Sequence, residues 1–117
     1  MKKILVIDDV VKVRRIYKDL LKSEGYAVFE ASGAVEAKEI LKNDNIDLVL
    51  LDIKMPEFDG RVMHDILKDF HKNVNVIVCS VFPMDEQKRI ISDAADYYDK
   101  SRDLDMLIEK VNRVLQN

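Results

Sequence analysis

Aspartates follow two apolar segments of this chain, at the points where the segments end. The run Ile4–Ile7 is followed by Asp8 and Asp9, and the run Leu48–Leu51 is followed by Asp52. An unbroken run of branched apolar residues is typical of a strand that is buried on both faces of a parallel sheet. The two runs therefore favour a sheet covered by helices on both faces, with acidic side chains at the ends of its strands.

The position of these aspartates predicts a binding site. In open sheets of parallel strands, the functional crevice lies outside the carboxyl ends of the strands. Three carboxylates in one crevice repel each other unless a cation lies among them or one of them takes up a proton. A single aspartate after a strand would more simply cap a helix or make a turn. Two strand ends with three carboxylates favour a metal site in which one carboxylate is a nucleophile.

The apolar pattern alternates between strand and helix along the whole chain. Alternating elements with short connections predict parallel strands and right-handed crossovers. We predict an α/β fold with a doubly wound, five-stranded parallel sheet in the order 2-1-3-4-5, which is the three-layer αβα arrangement of flavodoxin-like folds. The predicted strands are Ile4–Ile7, Tyr26–Phe29, Asp47–Leu51, Val74–Cys79 and Tyr97–Tyr98.

Apolar residues at helical spacing predict a helix after each strand. Gly25 ends the first helix, and Ser32 and Asp103 are predicted to cap the second and the last. Turn signals at 55–56 and 59–60 predict a loop before the third helix. The predicted fourth helix starts near Met84, and its apolar residues are Ile90, Ile91, Ala94 and Ala95.

Composition limits the class of protein. A chain of 117 residues, with 48% hydrophobic and 35% charged residues, is expected to form one domain over residues 1–117. The net charge is −3 and no Lys/Arg-rich block is present, so direct nucleic-acid binding is not expected. A single cysteine, Cys79, suits a reducing compartment. No apolar stretch reaches transmembrane length, which predicts a cytoplasmic protein without membrane insertion.

Two further polar residues follow later strands. Ser80 follows the predicted strand Val74–Cys79, and Lys100 comes shortly after Tyr97–Tyr98. In the predicted order, strands 1, 3, 4 and 5 lie side by side, so these two side chains and the three carboxylates would line one edge of the sheet. Considered singly, each residue has a simpler explanation without a function: Ser80 as a turn residue and Lys100 as a solvated surface lysine.

Taken together, these residues resemble a known family. The matching positions run from Lys3 to Leu115, and the chain resembles the receiver domain of two-component response regulators, of the single-domain, chemotaxis-regulator-like kind. The residues that carry the resemblance are Asp8, Asp9, Asp52 with the stretch 52–60 that it opens, Ser80, Tyr97 and Lys100.

The resemblance implies a phosphorylation-dependent signalling switch. It implies that Asp52 accepts a phosphoryl group from a sensor histidine kinase or a phosphotransfer protein, and that Ser80 and Lys100 contact phosphate oxygens. It further implies that Asp9, Asp8, Asp52 and the backbone carbonyl of Lys54 bind Mg²⁺. Such a domain catalyses its own phosphoryl transfer and slow dephosphorylation, is not a turnover enzyme, and acts on an output protein that the sequence does not identify.

The resemblance also implies how the switch works. Phosphate on Asp52 should draw Ser80 toward it, together with the loop 81–83, and Tyr97 should then turn inward into the vacated space.

Four positions depart from the family pattern, all near the fourth helix and fifth strand. Ser101 replaces a proline that usually follows the lysine in a cis peptide; the cost of a non-proline cis bond favours a trans Lys100–Ser101 bond, but the sequence leaves both forms open. Val81 is bulkier than the usual residue after the hydroxyl. The segment from Ser80 to Lys100 is short, which predicts a short or irregular fourth helix, and Asp93 stands where glycine often ends that helix.

Other functions fit the residues less well. A receiver-like binding module that works without phosphorylation remains the main alternative. A phosphatase with an aspartate nucleophile would need a second aspartate where Lys54 stands, and a flavin carrier would need a Ser/Thr/Gly-rich loop where residues 8–12 stand. His64 and His71 are interpreted as surface or helix-end histidines, since neither has a zinc-ligand spacing.

Overall fold

The computed structural model describes residues 1–55, 58–70 and 74–116, without the side chains of residues 54, 55, 58–61, 66, 69 and 70. Its strands are β1 Lys3–Ile7, β2 Ala27–Ala31, β3 Leu48–Leu51, β4 Lys54–Met55, β5 Phe58–Asp59, β6 Asn75–Ser80 and β7 Asp96–Asp99. Its helices are α1 Val11–Ser23, α2 Ala34–Asn43, α3 Gly60–Phe70, α4 Met84–Ile90 and α5 Leu104–Leu115.

Five of the strands form one parallel sheet in the order β2-β1-β3-β6-β7. Counted along the chain without the small ribbon β4–β5, this is the predicted order 2-1-3-4-5, and the prediction of the fold is confirmed. The register pairs Ile7 with Leu51, Leu51 with Val78, and Ser80 with Asp99. The carboxyl ends of β1, β3, β6 and β7 therefore meet along one edge.

Apolar side chains cover both faces of the sheet, because successive residues of a strand point to opposite faces. Each fully buried aliphatic or aromatic side chain contributes about 1.5–3 kcal/mol of transfer free energy. Because consecutive apolar residues of β1 and β3 point to opposite faces of the sheet, these strands pack against the helices on both faces. One cluster includes Leu5, Ile7, Val49, Leu51, Val78, Ala37, Leu41, Met63 and Leu67. The other includes Ile4, Val6, Leu48, Leu50, Ile77, Tyr17, Leu21, Leu107 and Val111.

Some predicted boundaries are wrong. The cap position of α2 is Gly33, not Ser32, and the Ser32 hydroxyl instead donates to the Glu36 carboxylate. Asp103 does occupy the cap position of α5, although its side chain makes no capping hydrogen bond. Residues 54–55 and 58–59, which were predicted as loop, pair as a short antiparallel ribbon; Pro56 and Glu57 lie outside the described residues.

The fourth helix is short, as the spacing predicts, with 7 residues. It ends at Ile90, so the prediction that Ile91 and the two alanines after it belong to the helix is wrong. Ile91 is extended, and its carbonyl accepts a hydrogen bond from the Tyr97 hydroxyl at 2.5 Å. Asp93 is not left-handed, because no described residue other than glycine has a positive φ. The Lys100–Ser101 bond, which the sequence left open, is trans, since the described residues contain no cis peptide.

Candidate functional site

The predicted acidic cluster is assembled by β1 and β3, which lie side by side. The Asp52 amide donates to the Ile7 carbonyl at 3.0 Å, so the hydrogen bonding between β1 and β3 continues to Asp52 and places this residue beside Asp8. One carboxylate oxygen from each of Asp8, Asp9 and Asp52 lies within 4.8 Å of the others. Asp8 is 1% exposed and Asp52 5% exposed, whereas Asp9 faces solvent. The sheet thus concentrates three carboxylates, two of them buried.

Lys100 is the cation that compensates this cluster. Its Nζ donates to Asp8 Oδ2 at 2.6 Å and to Asp52 Oδ2 at 3.0 Å. Burial by itself lowers the pKa of the Lys100 ammonium, but Asp8 and Asp52 outweigh burial and hold that pKa above its usual value. The lysine is therefore charged at neutral pH and joins the strand ends of β1, β3 and β7.

Asp8 has both carboxylate oxygens engaged. While Oδ2 accepts from Lys100, Oδ1 accepts from the Val10 amide at 2.9 Å. Its backbone carbonyl also accepts from the Arg14 guanidinium at 2.5 Å, and Arg14 Nε lies 3.4 Å from Glu30 on β2. Sequence reasoning missed Arg14, because an arginine on an amphipathic helix is usually solvated. These contacts fix Asp8, whereas the Asp9 carboxylate makes no hydrogen bond or ion pair within the described part of the chain.

Ser80 lies at the end of β6 and is fully buried. Its Oγ accepts from the Phe82 amide at 3.2 Å, and its carbonyl accepts from the Lys100 amide at 2.9 Å. The backbones of Ser80 and Lys100 are therefore joined directly. The structure thus places Ser80 beside the lysine at the edge where the sequence predicts it.

Tyr97 already faces the interior. It is 6% exposed, its hydroxyl donates to the Ile91 carbonyl at 2.5 Å, and the Ala94 amide donates to that hydroxyl at 3.3 Å. Lys88 Nζ lies 5.7 Å from the centre of the ring, within reach of a cation–π interaction. Tyr97 is therefore buried in this structure, and its response to phosphorylation stays a prediction.

Gln87 is a buried polar residue of α4 that sequence reasoning missed. Its Nε2 lies within hydrogen-bond distance of three carbonyl oxygens, those of Phe82 at 2.8 Å, Tyr98 at 3.0 Å and Ser80 at 3.4 Å. The available signal is its position, three residues from both Met84 and Ile90, which places a glutamine on the apolar stripe of the helix. The sequence MDEQKRI otherwise reads as an exposed helix.

His64 is not the surface histidine that the sequence predicts. It is 5% exposed, and its Nε2 lies 3.6 Å from Asp93, which also pairs with Lys68 of α3. Burial lowers the pKa of His64, and the neighbouring Asp93 opposes that shift without reversing it. This group borders a pocket of about 460 Å³ that is also lined by Leu67, Val74, Asn75, Val76 and Ala95. His71 lies outside the described residues.

The acidic cluster fits a magnesium ion. Mg²⁺ takes oxygen ligands, usually one or two carboxylates together with waters and phosphate oxygens. Three carboxylates with one ammonium leave two net negative charges, which a divalent cation balances. No other group of metal-ligating side chains is found among the residues that the structure describes. No helix in that same part of the chain is long and apolar enough to cross a membrane.

Comparison with known proteins identifies the family. The family model described as response regulator receiver domain matches residues 4–112. The chain belongs to this family. It is 33% identical to the chemotaxis protein CheY of Bacillus subtilis, with 97% of each protein covered. It is 30% identical to sporulation initiation phosphotransferase F of the same organism, covering 97% of this chain and 93% of that protein.

Solved structures agree with this assignment. The response regulator TrrA of Thermotoga maritima in complex with Mg²⁺-BeF has a TM-score of 0.88 and 33% identity, covering 98% of this receiver domain and 100% of TrrA. TrrA in complex with the histidine kinase ThkA gives a TM-score of 0.87 at the same identity. The predicted family and its function as a signalling switch of two-component systems are confirmed. The prediction of Mg²⁺ as cofactor is confirmed by the TrrA complex together with the clustered carboxylates of this chain.

Proposed function

We propose that Asp52 is the phosphoacceptor of this receiver domain. The observation that carries the proposal is the pair of hydrogen bonds by which Lys100 joins Asp52 to Asp8. Asp52 is nearly buried at the end of β3, and its carboxylate accepts a hydrogen bond from the Lys100 ammonium. An ionised carboxylate at a fixed position is a competent nucleophile for phosphoryl transfer, which depends mainly on positioning and charge stabilisation.

In the proposed reaction, an Oδ atom of Asp52 attacks the phosphorus of a phosphohistidine. The new O–P bond gives an acyl phosphate, the P–N bond breaks, and the electron pair leaves with the imidazole of the donor. Lys100 then stabilises the transferred phosphoryl oxygens as a point charge, and Ser80 donates a hydrogen bond from its hydroxyl. Water attack on the same phosphorus would slowly remove the phosphoryl group. The domain therefore modifies itself and does not turn over a separate substrate.

Asp9 is the proposed direct protein ligand of Mg²⁺, with Asp52 and the backbone carbonyl of Lys54. Asp8 is proposed to assist through water or hydrogen bonds, because both of its oxygens already accept hydrogen bonds in this structure. When bound, Mg²⁺ neutralises charge on the phosphoryl oxygens. Lys54 begins β4 two residues after Asp52, and the role of its carbonyl stays a prediction.

The proposed phosphoryl donor is a sensor histidine kinase or a phosphotransfer protein. The support is the kinase complex of TrrA, which is 33% identical to this chain. The proposed switch involves Ser80 and Tyr97, and the output protein is unknown. Direct nucleic-acid binding is not part of the proposal. A single domain over residues 1–117 and a cytoplasmic location also stay predictions from the sequence.

Acetyl phosphate tests the proposal without a kinase. The protein is incubated with this donor, with MgCl₂ or with EDTA, and its intact mass is measured. We expect the mass of one phosphoryl group to appear only with Mg²⁺ and to be lost in Asp52→Asn. Asp19→Asn, which changes an exposed aspartate on α1, is the matched control and should be phosphorylated normally. Phosphorylation of Asp52→Asn would refute the assignment of the phosphoacceptor. Absence of phosphorylation in wild type would instead favour the phosphorylation-independent binding module.

A further inference from the structure

Gln87 connects the loop Ser80–Pro83, the proposed switch loop, to α4 through both its main chain and its side chain. The Gln87 amide donates to the Pro83 carbonyl at 3.0 Å, and Nε2 donates to the Phe82 carbonyl at 2.8 Å. The same Nε2 reaches the Tyr98 carbonyl on β7 at 3.0 Å. One side chain thus fastens the loop after Ser80 to its own helix and to the neighbouring strand.

The loop is also held from its other side. The Phe82 amide donates to Ser80 Oγ at 3.2 Å, so both backbone groups of Phe82 are engaged, one by Ser80 and one by Gln87. A loop that follows Ser80 toward Asp52 must carry the Phe82 carbonyl away from Gln87 or take α4 with it. The hydrogen bond to Gln87 therefore opposes that movement.

Burial and polarity argue that Gln87 does more than fill space. Its side chain is fully buried, yet Oε1 accepts no hydrogen bond among the described residues. A buried acceptor without a donor is unfavourable, and an apolar residue of the same shape would avoid it. The side-chain NH₂ group donates to the backbone carbonyls of Phe82 in the switch loop and Tyr98 on β7, which accounts for a polar side chain at this position.

We propose that Gln87 is a positioning residue that holds the Ser80–Pro83 loop in the conformation of this structure, opposes its movement toward phosphorylated Asp52, and so sets how readily phosphorylation is stabilised. The inference rests on the proposed function of Asp52 and Ser80. Replacement by methionine keeps the length of the side chain but removes the donor. Loss of one buried neutral hydrogen bond from this loop conformation corresponds to about a fivefold change in an equilibrium constant.

Beryllofluoride with Mg²⁺, a tetrahedral phosphoryl analogue, is the probe. We expect Gln87→Met to bind it about fivefold more tightly than wild type, while Arg89→Met, an exposed change on the same helix, leaves affinity unchanged. In a Ser80→Ala background the effect of Gln87→Met should disappear, because the restraint acts through Ser80. Unchanged or weaker binding by Gln87→Met, or equal tightening in the Ser80→Ala background, would overturn the proposal.

A measurement on the wild-type protein covers the case in which Gln87→Met does not fold. The chain has two glutamines, buried Gln87 and exposed Gln116, so their side-chain NH₂ resonances are readily distinguished by NMR. We expect the Gln87 NH₂ protons to exchange slowly with water and to lose that protection when Mg²⁺ and beryllofluoride bind. Protection that persists in the complex would overturn the proposal. Failure of wild type to bind beryllofluoride would instead refute the function proposed for Asp52.

Discussion

Replacing Lys100 with methionine should destabilise the metal-free domain and increase its response to Mg²⁺. The Lys100 side chain is 14% exposed and is hydrogen-bonded to Asp8 and Asp52. Without the ammonium, unit charges 4.8 Å apart at an effective dielectric constant of 20 repel by about 3–4 kcal/mol. Removing one partner of a buried ion pair typically costs about 3–5 kcal/mol. Because a carboxylate can take up a proton and relieve part of this repulsion, we expect a decrease of about 2–4 kcal/mol in unfolding free energy.

Mg²⁺ should recover much of that loss. In Lys100→Met the Oδ2 atoms of Asp8 and Asp52 lose their donor, and the positive charge that opposes a bound cation is gone. We expect at least tenfold tighter Mg²⁺ binding, which adds about 1.4 kcal/mol to the stabilisation by saturating Mg²⁺ relative to wild type.

Urea unfolding followed by circular dichroism, in EDTA and in saturating MgCl₂, measures both effects. Lys110→Met is the matched control, because Lys110 also pairs with an aspartate, Asp96 at 3.1 Å, and its side chain is 13% exposed. That variant should lose stability but show the Mg²⁺ response of wild type. If Mg²⁺ stabilises Lys100→Met and wild type by the same amount, Lys100 does not compensate the acidic cluster as we describe.

Three other predictions test separate features. Asp9→Asn should weaken Mg²⁺ binding in a fluorescence titration more than Asp8→Asn does, and wild-type affinity in Asp9→Asn would contradict the proposed ligand. Val81→Ala should speed both formation and decay of the phosphoprotein about two- to fivefold, as monitored by intact mass, because Val81 adds bulk beside Ser80; unchanged rates refute this. His64, whose pKa is lowered by burial, makes the fold less stable as pH falls below its ordinary pKa of 6.5, and His64→Asn should flatten that dependence in urea titrations; an unaltered pH profile would contradict it.

The predicted strands were mostly correct because their signal depends on burial alone. β1, β3 and β6 lie inside the sheet and are covered on both faces, so nearly every position must be apolar, and the runs are visible in the sequence. The acidic cluster followed from the same logic, since aspartates after such strands have only one edge at which to meet. The hydrogen bonds between neighbouring strands fix where each strand ends, so the aspartates of the cluster were predicted together with the fold.

The end of α4 could not be predicted in this way. Ile91 is 3% exposed, and its apolar character fits a helix as well as the extended conformation that the structure shows. Side-chain contacts outside the helix accompany its end. The Tyr97 hydroxyl donates a hydrogen bond to the Ile91 carbonyl, and Asp93 pairs with Lys68 on α3. Side-chain contacts of this kind leave no signal in the apolar periodicity of the helix itself. His64 was missed for the same reason, because burial of a histidine depends on what packs against it.

The charge of the site explains why the switch needs a hydrogen-bond donor in addition to Lys100 and the cation. Phosphorylation replaces the single charge of Asp52 with a phosphoryl group that carries about two. Lys100 and one divalent cation already balance the resting carboxylates, so the added charge needs a further donor. Ser80 is a hydroxyl donor on the neighbouring strand, and its position depends on a loop whose Phe82 carbonyl accepts a hydrogen bond from the Gln87 side chain. The free energy with which phosphate attracts Ser80 must therefore exceed the free energy of that restraint, so changes at Gln87 should tune the switch without touching the chemistry at Asp52.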